Sequence, residues 1–362
     1  MGLDDLPDFP WDSLASARAT AAGHPGGVVD LSVGTPVDPT PQLARDALAA
    51  ASDCPGYPTV WGTAPLRRAV IDHLSRRWDA VELPEQGILP VIGTKEAVAW
   101  LPTLLGLGAD DLVVIPTTAY PTYEVGARLV GAQVLACDDP AAIEGTPALI
   151  WINSPANPHG VILDDGRMRA WVDYARSVGA VLASDECYGE FGWDAEPVSA
   201  LHADVCEGRP DGILVLHSLS KRSNLAGYRA GFIAGDPEVV QRQVGLRKHL
   251  GMMMPFPVQE AMRALLGDQE HVAEQRERYL RRRSVLRPAL EAAGFRIDHS
   301  EGSLYLWATR GEDCRATIDW LAQRGIVAAP GDFYGEAGRQ HVRIALTGTD
   351  ERINAAAQRL HS

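Results

Sequence analysis

The sequence predicts an α/β protein with a mostly parallel central sheet flanked by helices, together with a smaller α+β domain. The first observation is a series of short apolar runs between residues 88 and 234, each bounded by turn residues. The second is that helix-length segments separate most of these runs, which favours right-handed crossovers and parallel strands. The third is a change of character after Pro237, where long polar helical patterns begin. A length of 362 residues also exceeds what one small core organises.

Seven strands are predicted in the central region, because each run is short and nearly all apolar, as in strands covered on both faces. A helical pattern over 93–105 follows the first of them. Since open sheets of this kind bind ligands at the carboxyl ends of their strands, we expect the functional site there. The predicted strands are 88–92, 111–116, 131–137, 148–153, 180–185, 213–216 and 231–234.

The C-terminal third is predicted to be helical first and mixed afterwards. Residues 238–293 are rich in Arg, Glu and Gln in a helical pattern, with a break at 251–255. Two further strand candidates, 304–308 and 341–346, enclose a helix over 315–324. The domains expected from these changes are an N-terminal arm that joins the small domain (1–33), a large domain (34–237), and linking helices with the small C-terminal domain (238–362).

Composition narrows the class of protein. The net charge of −14 argues against binding to nucleic acid or to anionic membranes. The acidic N-terminus has no apolar core of a secretion signal, and no apolar run approaches the length of a membrane span. The five cysteines contain no C-x-x-C pair, which argues against a zinc site and favours reduced thiols in a cytoplasmic protein.

Lys221 is the strongest chemical candidate. It follows the apolar run 213–216, and desolvation at the end of a buried strand lowers an amine's pKa and makes it a usable nucleophile and base. Ser218 and Ser220 precede it and Arg229 follows, with glycine between, which suits a phosphate. A phosphorylated aldehyde held by a lysine Schiff base is pyridoxal phosphate (PLP), so this stretch indicates PLP chemistry.

Two polar groups end neighbouring predicted strands. Asp185 closes one of them, where a buried acid needs a cation such as a protonated pyridine nitrogen. A turn or N-cap aspartate explains the same residue equally well. Tyr188, three positions on, can direct its hydroxyl at the same ring. Asn157 lies in an Asn-Pro-x-Gly turn, where its amide remains able to bind a ligand and Asn157-Pro158 is a candidate cis bond.

Three weaker signals complete the site. Thr94 and Lys95 open a helix after a strand, and free amides at a helix N-terminus suit a phosphate. Tyr120 is able to stack on a flat ring, although a packed aromatic is the commoner explanation. Arg343 interrupts an apolar strand, either as a fork for a substrate carboxylate or as an edge-strand arginine facing solvent.

Together these motifs resemble the fold type I PLP enzymes of the aspartate aminotransferase superfamily. One such motif is weak, whereas seven in order are specific, and the ordered match runs from Gly34 to Arg343, nearly the whole chain. One small departure is His159, where the family usually has Thr. The motifs are Gly56-Tyr57-Pro58, Gly93-Thr94-Lys95, Tyr120-Pro121, Asn157-Pro158-x-Gly160, Asp185-x-x-Tyr188, Ser218-x-Ser220-Lys221 and Arg229.

The resemblance implies a role for each of these residues. Lys221 holds the cofactor's aldehyde and moves protons. Asp185 pairs with the pyridine nitrogen. Asn157 and Tyr188 bind the phenolic oxygen of the ring, and Tyr120 stacks on the ring.

The resemblance also implies which residues bind the substrate carboxylate at one end of the site and the phosphate at the other. Arg343, with the backbone of Gly34 and the side chain of Asn157, takes the substrate. Tyr57 reaches the phosphate of a neighbouring subunit, which implies a homodimer with shared sites. The residues implied to hold the phosphate within the same subunit are Thr94, Lys95, Ser218 and Arg229.

A narrower resemblance concerns the substrate. The segments 6–12 and 217–236 resemble those of actinobacterial N-succinyldiaminopimelate aminotransferases of lysine and cell-wall biosynthesis, with glutamate and 2-oxoglutarate as the second substrate pair. Aminotransferases for aspartate, aromatic or branched-chain amino acids share the same residues. A carbon–sulfur lyase of the same fold and a PLP-binding regulator without enzymatic activity are less favoured. Basic residues considered for the substrate's far end are Arg222, Arg247, Lys248 and His249.

Overall fold

The computed structural model describes residues 10–361, so the part of the 6–12 segment before Pro10 lies outside the described residues. The chain alternates strands and helices up to residue 235 and becomes mainly helical after it. The strands are β1 (Val29–Asp30), β2 (Ile88–Val91), β3 (Leu112–Ile115), β4 (Gln133–Ala136), β5 (Pro147–Asn153), β6 (Val181–Asp185), β7 (Ile213–Ser218), β8 (Gly231–Gly235), β9 (Arg296–Ile297), β10 (Tyr305–Thr309), β11 (Ile326–Val327), β12 (Ala329–Pro330) and β13 (Val342–Ala345).

The helices cover both faces of the main sheet and form most of the C-terminal third. They are α1 (Ala15–Ala22), α2 (Gln42–Ala50), α3 (Ala64–Trp78), α4 (Thr94–Leu104), α5 (Thr122–Leu129), α6 (Asp165–Val178), α7 (Leu219–Arg222), α8 (Pro237–Leu250), α9 (Phe256–Gly267), α10 (Glu270–Ala292), α11 (Cys314–Gln323) and α12 (Asp350–Leu360). Within residues 10–361, no helix is long and apolar enough to cross a bilayer.

The main sheet has seven strands in the order β2-β8-β7-β6-β5-β3-β4. Strands β7, β6, β5, β3 and β4 pair in parallel, whereas β8 pairs antiparallel with both β2 and β7. All seven central strands predicted from the apolar runs are therefore present in one mostly parallel sheet, and the predicted fold class is confirmed.

Alternating residues of these strands pack into two separate apolar cores. Val114, Ile150 and Leu182 face a core that contains Trp171 of α6. Their neighbours in sequence face a second core, on the other side of the sheet, built with α4, α5 and α8. Burial on both faces is the physical reason for the nearly continuous apolar runs of the inner strands, whereas the edge strand β4 is partly exposed.

A third core lies outside the main sheet and combines the two ends of the chain. It contains Leu14, Leu31, Leu286, Leu306 and Ile344. Its strands form a four-stranded antiparallel sheet, β12-β13-β10-β9, and a parallel pair, β1-β11. The expected division into an arm, a large domain and a small domain, with boundaries at 34 and 237, stays a prediction. No sequence pattern indicates β1, β9, β11 and β12, because a two-residue strand has no measurable period.

Candidate functional site

A cavity of about 510 Å³ lies at the carboxyl ends of the central strands, where the main sheet meets the third core. It brings together residues that are up to 332 positions apart, from Trp11 to Arg343. The residues predicted from the sequence that line it are Gly34, Thr94, Lys95, Tyr120, Asn157, Asp185, Tyr188, Ser218, Lys221, Arg229 and Arg343. Tyr57 lies elsewhere, and 97% of it is exposed.

Lys221 sits on the single turn α7, directly after β7, and its amine donates a hydrogen bond to the Gly34 carbonyl. Burial lowers the pKa of this amine, and Tyr305 opposes the effect in part. No carboxylate forms an ion pair with it in the part of the chain that the structure describes. The amine is therefore held by a neutral acceptor and is easier to deprotonate than an exposed lysine.

Asp185 ends β6 and is only 6% exposed. Its carboxylate accepts hydrogen bonds from the Tyr123 hydroxyl (2.7 Å) and from the Cys187 amide (3.1 Å). Burial raises the pKa of Asp185, and the hydrogen bonds from Cys187 and Tyr123 lower it in part. Residues 10–361 supply no ion-pair partner, so the carboxylate is ready to receive a cation from a ligand.

Asn153 links Asp185 to the Asn157 turn. Its amide donates to the Asp185 carbonyl (2.8 Å), and its oxygen accepts from the Asn157 amide (2.7 Å). The Asn157-Pro158 bond is cis, as the sequence allowed. Gly160 closes the turn at φ +76°, and a Cβ there would lie 2.5 Å from the Gly302 carbonyl oxygen. The loop is thus fixed from both sides, and the Asn157 side chain points into the cavity.

Arg343 is 3% exposed on β13, between β10 and β12, so the interpretation as a solvent-facing edge arginine is excluded. Its guanidinium donates to the Asn157 side-chain oxygen (2.8 Å) and to the Ser32 carbonyl (2.7 Å). It lies 4.0 Å from the centre of the Tyr305 ring. No carboxylate pairs with it among the described residues. A buried guanidinium held only by neutral groups is suited to an external carboxylate.

At the other end of the cavity, backbone amides and cationic side chains lie together at the start of α4. Gly93 precedes this helix at φ +89°, and the Arg229 guanidinium packs against it. Burial lowers the pKa of the Lys95 amine, and the nearby Arg229 charge lowers it further. Ser218 accepts a hydrogen bond from the Ser220 amide at 3.1 Å. The N-terminal end of a helix beside two cations forms a site for a phosphate.

Substituting Gly93 tests this phosphate end. A Cβ at residue 93 would overlap Nη2 of Arg229, and its φ is one that L side chains rarely adopt. We expect Gly93→Ala to weaken PLP binding by about tenfold or more, since such strain costs about 1–3 kcal/mol. Gly227→Ala is the matched control, because Gly227 lines the same cavity and a Cβ there meets no atom within 4 Å. Titration of the apoprotein with PLP measures both; equal affinities would contradict the assignment.

The charges of the cavity fit PLP. Four cationic residues line it, and Asp185 is the one carboxylate among its described lining residues. A phosphate beside Lys95 and Arg229, a pyridinium at Asp185 and a substrate carboxylate at Arg343 would balance these charges. Lys221, between the two ends, would hold the aldehyde, and Tyr120, Asn157, Tyr188, Thr94 and Ser218 would surround the ring and the phosphate.

Several lining residues were not predicted. Tyr123, Asn153 and Tyr305 each bond to a predicted residue, and Trp11 lies over Arg343 at 5.7 Å. Asn153 had a usable signal, since it closes the predicted strand 148–153 as Asp185 closes the strand 180–185.

The basic residues considered for the substrate's far end do not line the cavity. Arg222 is buried against His73 and Glu190, and Arg247 pairs with Glu96. Lys248 and His249 lie on the exposed side of α8. The packing and the orientation of the helices, which the sequence does not show, decide these positions.

Comparisons with known proteins agree with this geometry. The family model for aminotransferase class I and II matches residues 26–360. A Mycobacterium tuberculosis protein named as a probable aminotransferase is 59% identical over 356 residues, 98% of this chain and 85% of that protein. The Streptomyces rimosus 4-dedimethylamino-4-oxo-anhydrotetracycline transaminase OxyQ is 55% identical over 359 residues, 99% of this chain and 100% of that one.

A solved structure gives a third comparison. It is that of a probable N-succinyldiaminopimelate aminotransferase from Thermus thermophilus, which superimposes with a TM-score of 0.88 at 28% identity. The match covers 98% of this chain and 99% of the other.

Proposed function

Because this chain belongs to the class I and II aminotransferases, we propose that it transfers the amino group between N-succinyl-LL-2,6-diaminopimelate and the glutamate/2-oxoglutarate pair. It is a PLP-dependent transaminase of fold type I. The observation that carries the proposal is one cavity that holds a deprotonatable lysine together with a buried carboxylate and a buried arginine, neither of which has an ion-pair partner among the described residues. The proposed place of action is the cytoplasm, as the five free thiols favour.

The proposed mechanism assigns each step to a residue of the chain. PLP, when bound, supplies an electron sink for the pair of electrons left on the substrate Cα when its proton is removed. Lys221 Nζ would take the proton from the substrate Cα and return it to the carbon that carries the cofactor's aldehyde, on the other side of the amino nitrogen. Asp185 keeps a pyridine nitrogen protonated. Arg343 holds the α-carboxylate that amino acid and keto acid share, so one site serves both halves of a ping-pong reaction.

The diaminopimelate substrate rests on similarity. The Thermus thermophilus relative carries that activity in its name at 28% identity. A distal carboxylate would find no fifth cation among the cavity's described lining residues. It would therefore be bound by aromatic hydroxyls, by backbone amides or by residues of a second subunit.

A second candidate substrate is favoured by the similarity to OxyQ. The identity of 55% over 359 residues is far higher than to the diaminopimelate relative. Aromatic side chains, including Trp11, Tyr120 and Tyr305, line the cavity and suit a flat polycyclic ketone. A tetracycline-type acceptor is thus the alternative to a succinylated diamino acid.

Half-reactions of the PLP-loaded protein distinguish these substrates. We expect N-succinyl-LL-2,6-diaminopimelate and glutamate to convert the visible absorbance of the bound aldehyde rapidly into that of pyridoxamine phosphate. Aspartate, aromatic and branched-chain amino acids should react more slowly. The pyridoxamine-loaded protein should in turn react with 2-oxoglutarate in preference to a 4-oxo-anhydrotetracycline.

Each other outcome has a defined meaning. Conversion by glutamate without conversion by the succinyl compound would refute the diaminopimelate assignment and keep the transaminase. Preference for the tetracycline ketone would establish the second candidate. Release of pyruvate from cystathionine would indicate a carbon–sulfur lyase.

A homodimer with shared sites is also proposed. Tyr57 is 97% exposed and lies outside the cavity of its own chain, in a position free to reach a second subunit. Other exposed apolar residues, among them Trp100, Leu246 and Leu250, are consistent with a covered surface. A solution mass of 39.0 kDa, that of one chain, would contradict the dimer.

A further inference from the structure

The buried Tyr305 hydroxyl contacts the residue proposed to bind the phenolic oxygen of PLP. Tyr305 lies on β10 and is 3% exposed, and its hydroxyl is 2.8 Å from that of Tyr188, which is 8% exposed. The two rings are edge-to-face, with centres 5.6 Å apart. A hydrogen bond between two buried phenols of the third core, one following β6 and one on β10, is therefore part of the cavity wall.

Tyr305 also touches the two other chemical groups of the site. A Cβ added to Gly34 would overlap the Tyr305 hydroxyl oxygen, and the Gly34 carbonyl accepts the hydrogen bond of Lys221. The face of the Tyr305 ring lies 4.0 Å from the Arg343 guanidinium. One side chain thus borders the backbone that holds the amine, the Arg343 guanidinium and the Tyr188 hydroxyl.

The direction of the hydrogen bond follows from the single proton on each hydroxyl. When Tyr188 donates to an oxygen of the cofactor, its proton is used, and Tyr305 must be the donor in the pair. A donor that itself accepts a hydrogen bond is polarised and donates more strongly. The chain from Tyr305 through Tyr188 therefore stabilises negative charge on the oxygen that Tyr188 contacts.

We propose that Tyr305 is a positioning residue that orients and polarises the Tyr188 hydroxyl and so sets the pH at which the Lys221 nitrogen, once bonded to PLP, loses its proton. The inference rests on the proposed role of Tyr188. The direction of the effect on this pH midpoint follows from electrostatics. A phenolic oxygen that Tyr188 stabilises attracts the neighbouring proton on the lysine nitrogen less, so the midpoint is lower. Loss of the Tyr305 hydroxyl weakens that stabilisation, and the midpoint rises.

The test is the pH titration of the visible absorbance of the PLP-loaded protein. We expect Tyr305→Phe to raise the midpoint by about half a pH unit to one unit, the size of one hydrogen bond. Tyr188→Phe should raise it further, and adding Tyr305→Phe to Tyr188→Phe should cause no additional shift. The KM for glutamate should stay within about threefold, since the phenylalanine ring still lies beneath Arg343.

Tyr334→Phe is the matched control. The Tyr334 ring also faces Arg343, at 5.1 Å, but its buried hydroxyl has no hydrogen-bond partner in the described chain. This variant should leave the midpoint unchanged. An unchanged midpoint in Tyr305→Phe, or an equal shift with and without Tyr188, would overturn the inference. If Tyr188→Phe itself leaves the midpoint unchanged, the proposed role of Tyr188 is wrong as well, so the two failures are distinguishable.

Discussion

Replacing Lys221 by alanine is expected to abolish transamination while the protein still folds and retains PLP. Positioned proton transfer contributes about 10²–10⁴-fold to such reactions, and the variant also loses the covalent attachment of the aldehyde. Turnover should therefore fall by more than about 10⁴-fold. The phosphate end, built from α4 and Arg229, is untouched by the change and should still bind the cofactor. Steady-state assays with glutamate, and cofactor content after desalting, measure the two effects.

The small number of lysines in the chain allows a direct test of where the cofactor is attached. The whole sequence contains three lysines, Lys95, Lys221 and Lys248. Borohydride reduction of the loaded protein, followed by peptide mass mapping, should place the cofactor on Lys221 alone. Lys248→Ala, an exposed substitution outside the cavity, should keep full activity. Normal turnover in Lys221→Ala, or a label on either other lysine, would refute the assignment.

The main sheet was predictable because burial on both faces leaves a nearly unbroken apolar run for each inner strand. Short runs such as 181–185 also indicate where a strand ends, and the chemistry follows at that point. The family motifs then indicated most of the cavity, since each is a local segment that ends a strand or opens a helix. The roles of those residues stay predictions until they are measured.

The residues that sequence reasoning missed act through contacts between distant segments. Tyr123 bonds to Asp185 across 62 positions, and Tyr305 bonds to Tyr188 across 117. Neither tyrosine differs in its local pattern from a tyrosine that merely packs in a core. The opposite error has the same cause, because Arg222 and Arg247 look available in the sequence and are buried in polar clusters in the fold. Partners set the function of a charged side chain, and partners are a property of tertiary structure.

Substituting Arg343 by lysine is expected to lower kcat/KM for glutamate by about 10²-fold or more. Lysine keeps the charge but loses the planar fork, and the loss of a two-pronged charge-assisted contact has about that effect. The loss should be confined to donors that carry an α-carboxylate. A primary amine without a carboxylate, which reacts slowly with the parent protein, should react at a similar rate with the variant. Single-turnover rates for the two donors give the ratio directly.

Arg282 provides the matched comparison for this prediction. It is 5% exposed, close to the 3% of Arg343, but it pairs with Asp38 and Asp350 of its own chain. Because its charge is already compensated, Arg282→Lys should affect stability while leaving the ratio between the two donors unchanged. A fall of equal size for both donors in Arg343→Lys would show that Arg343 only supports the fold. The expected discrimination would instead identify the substrate carboxylate as the anion that this buried arginine lacks.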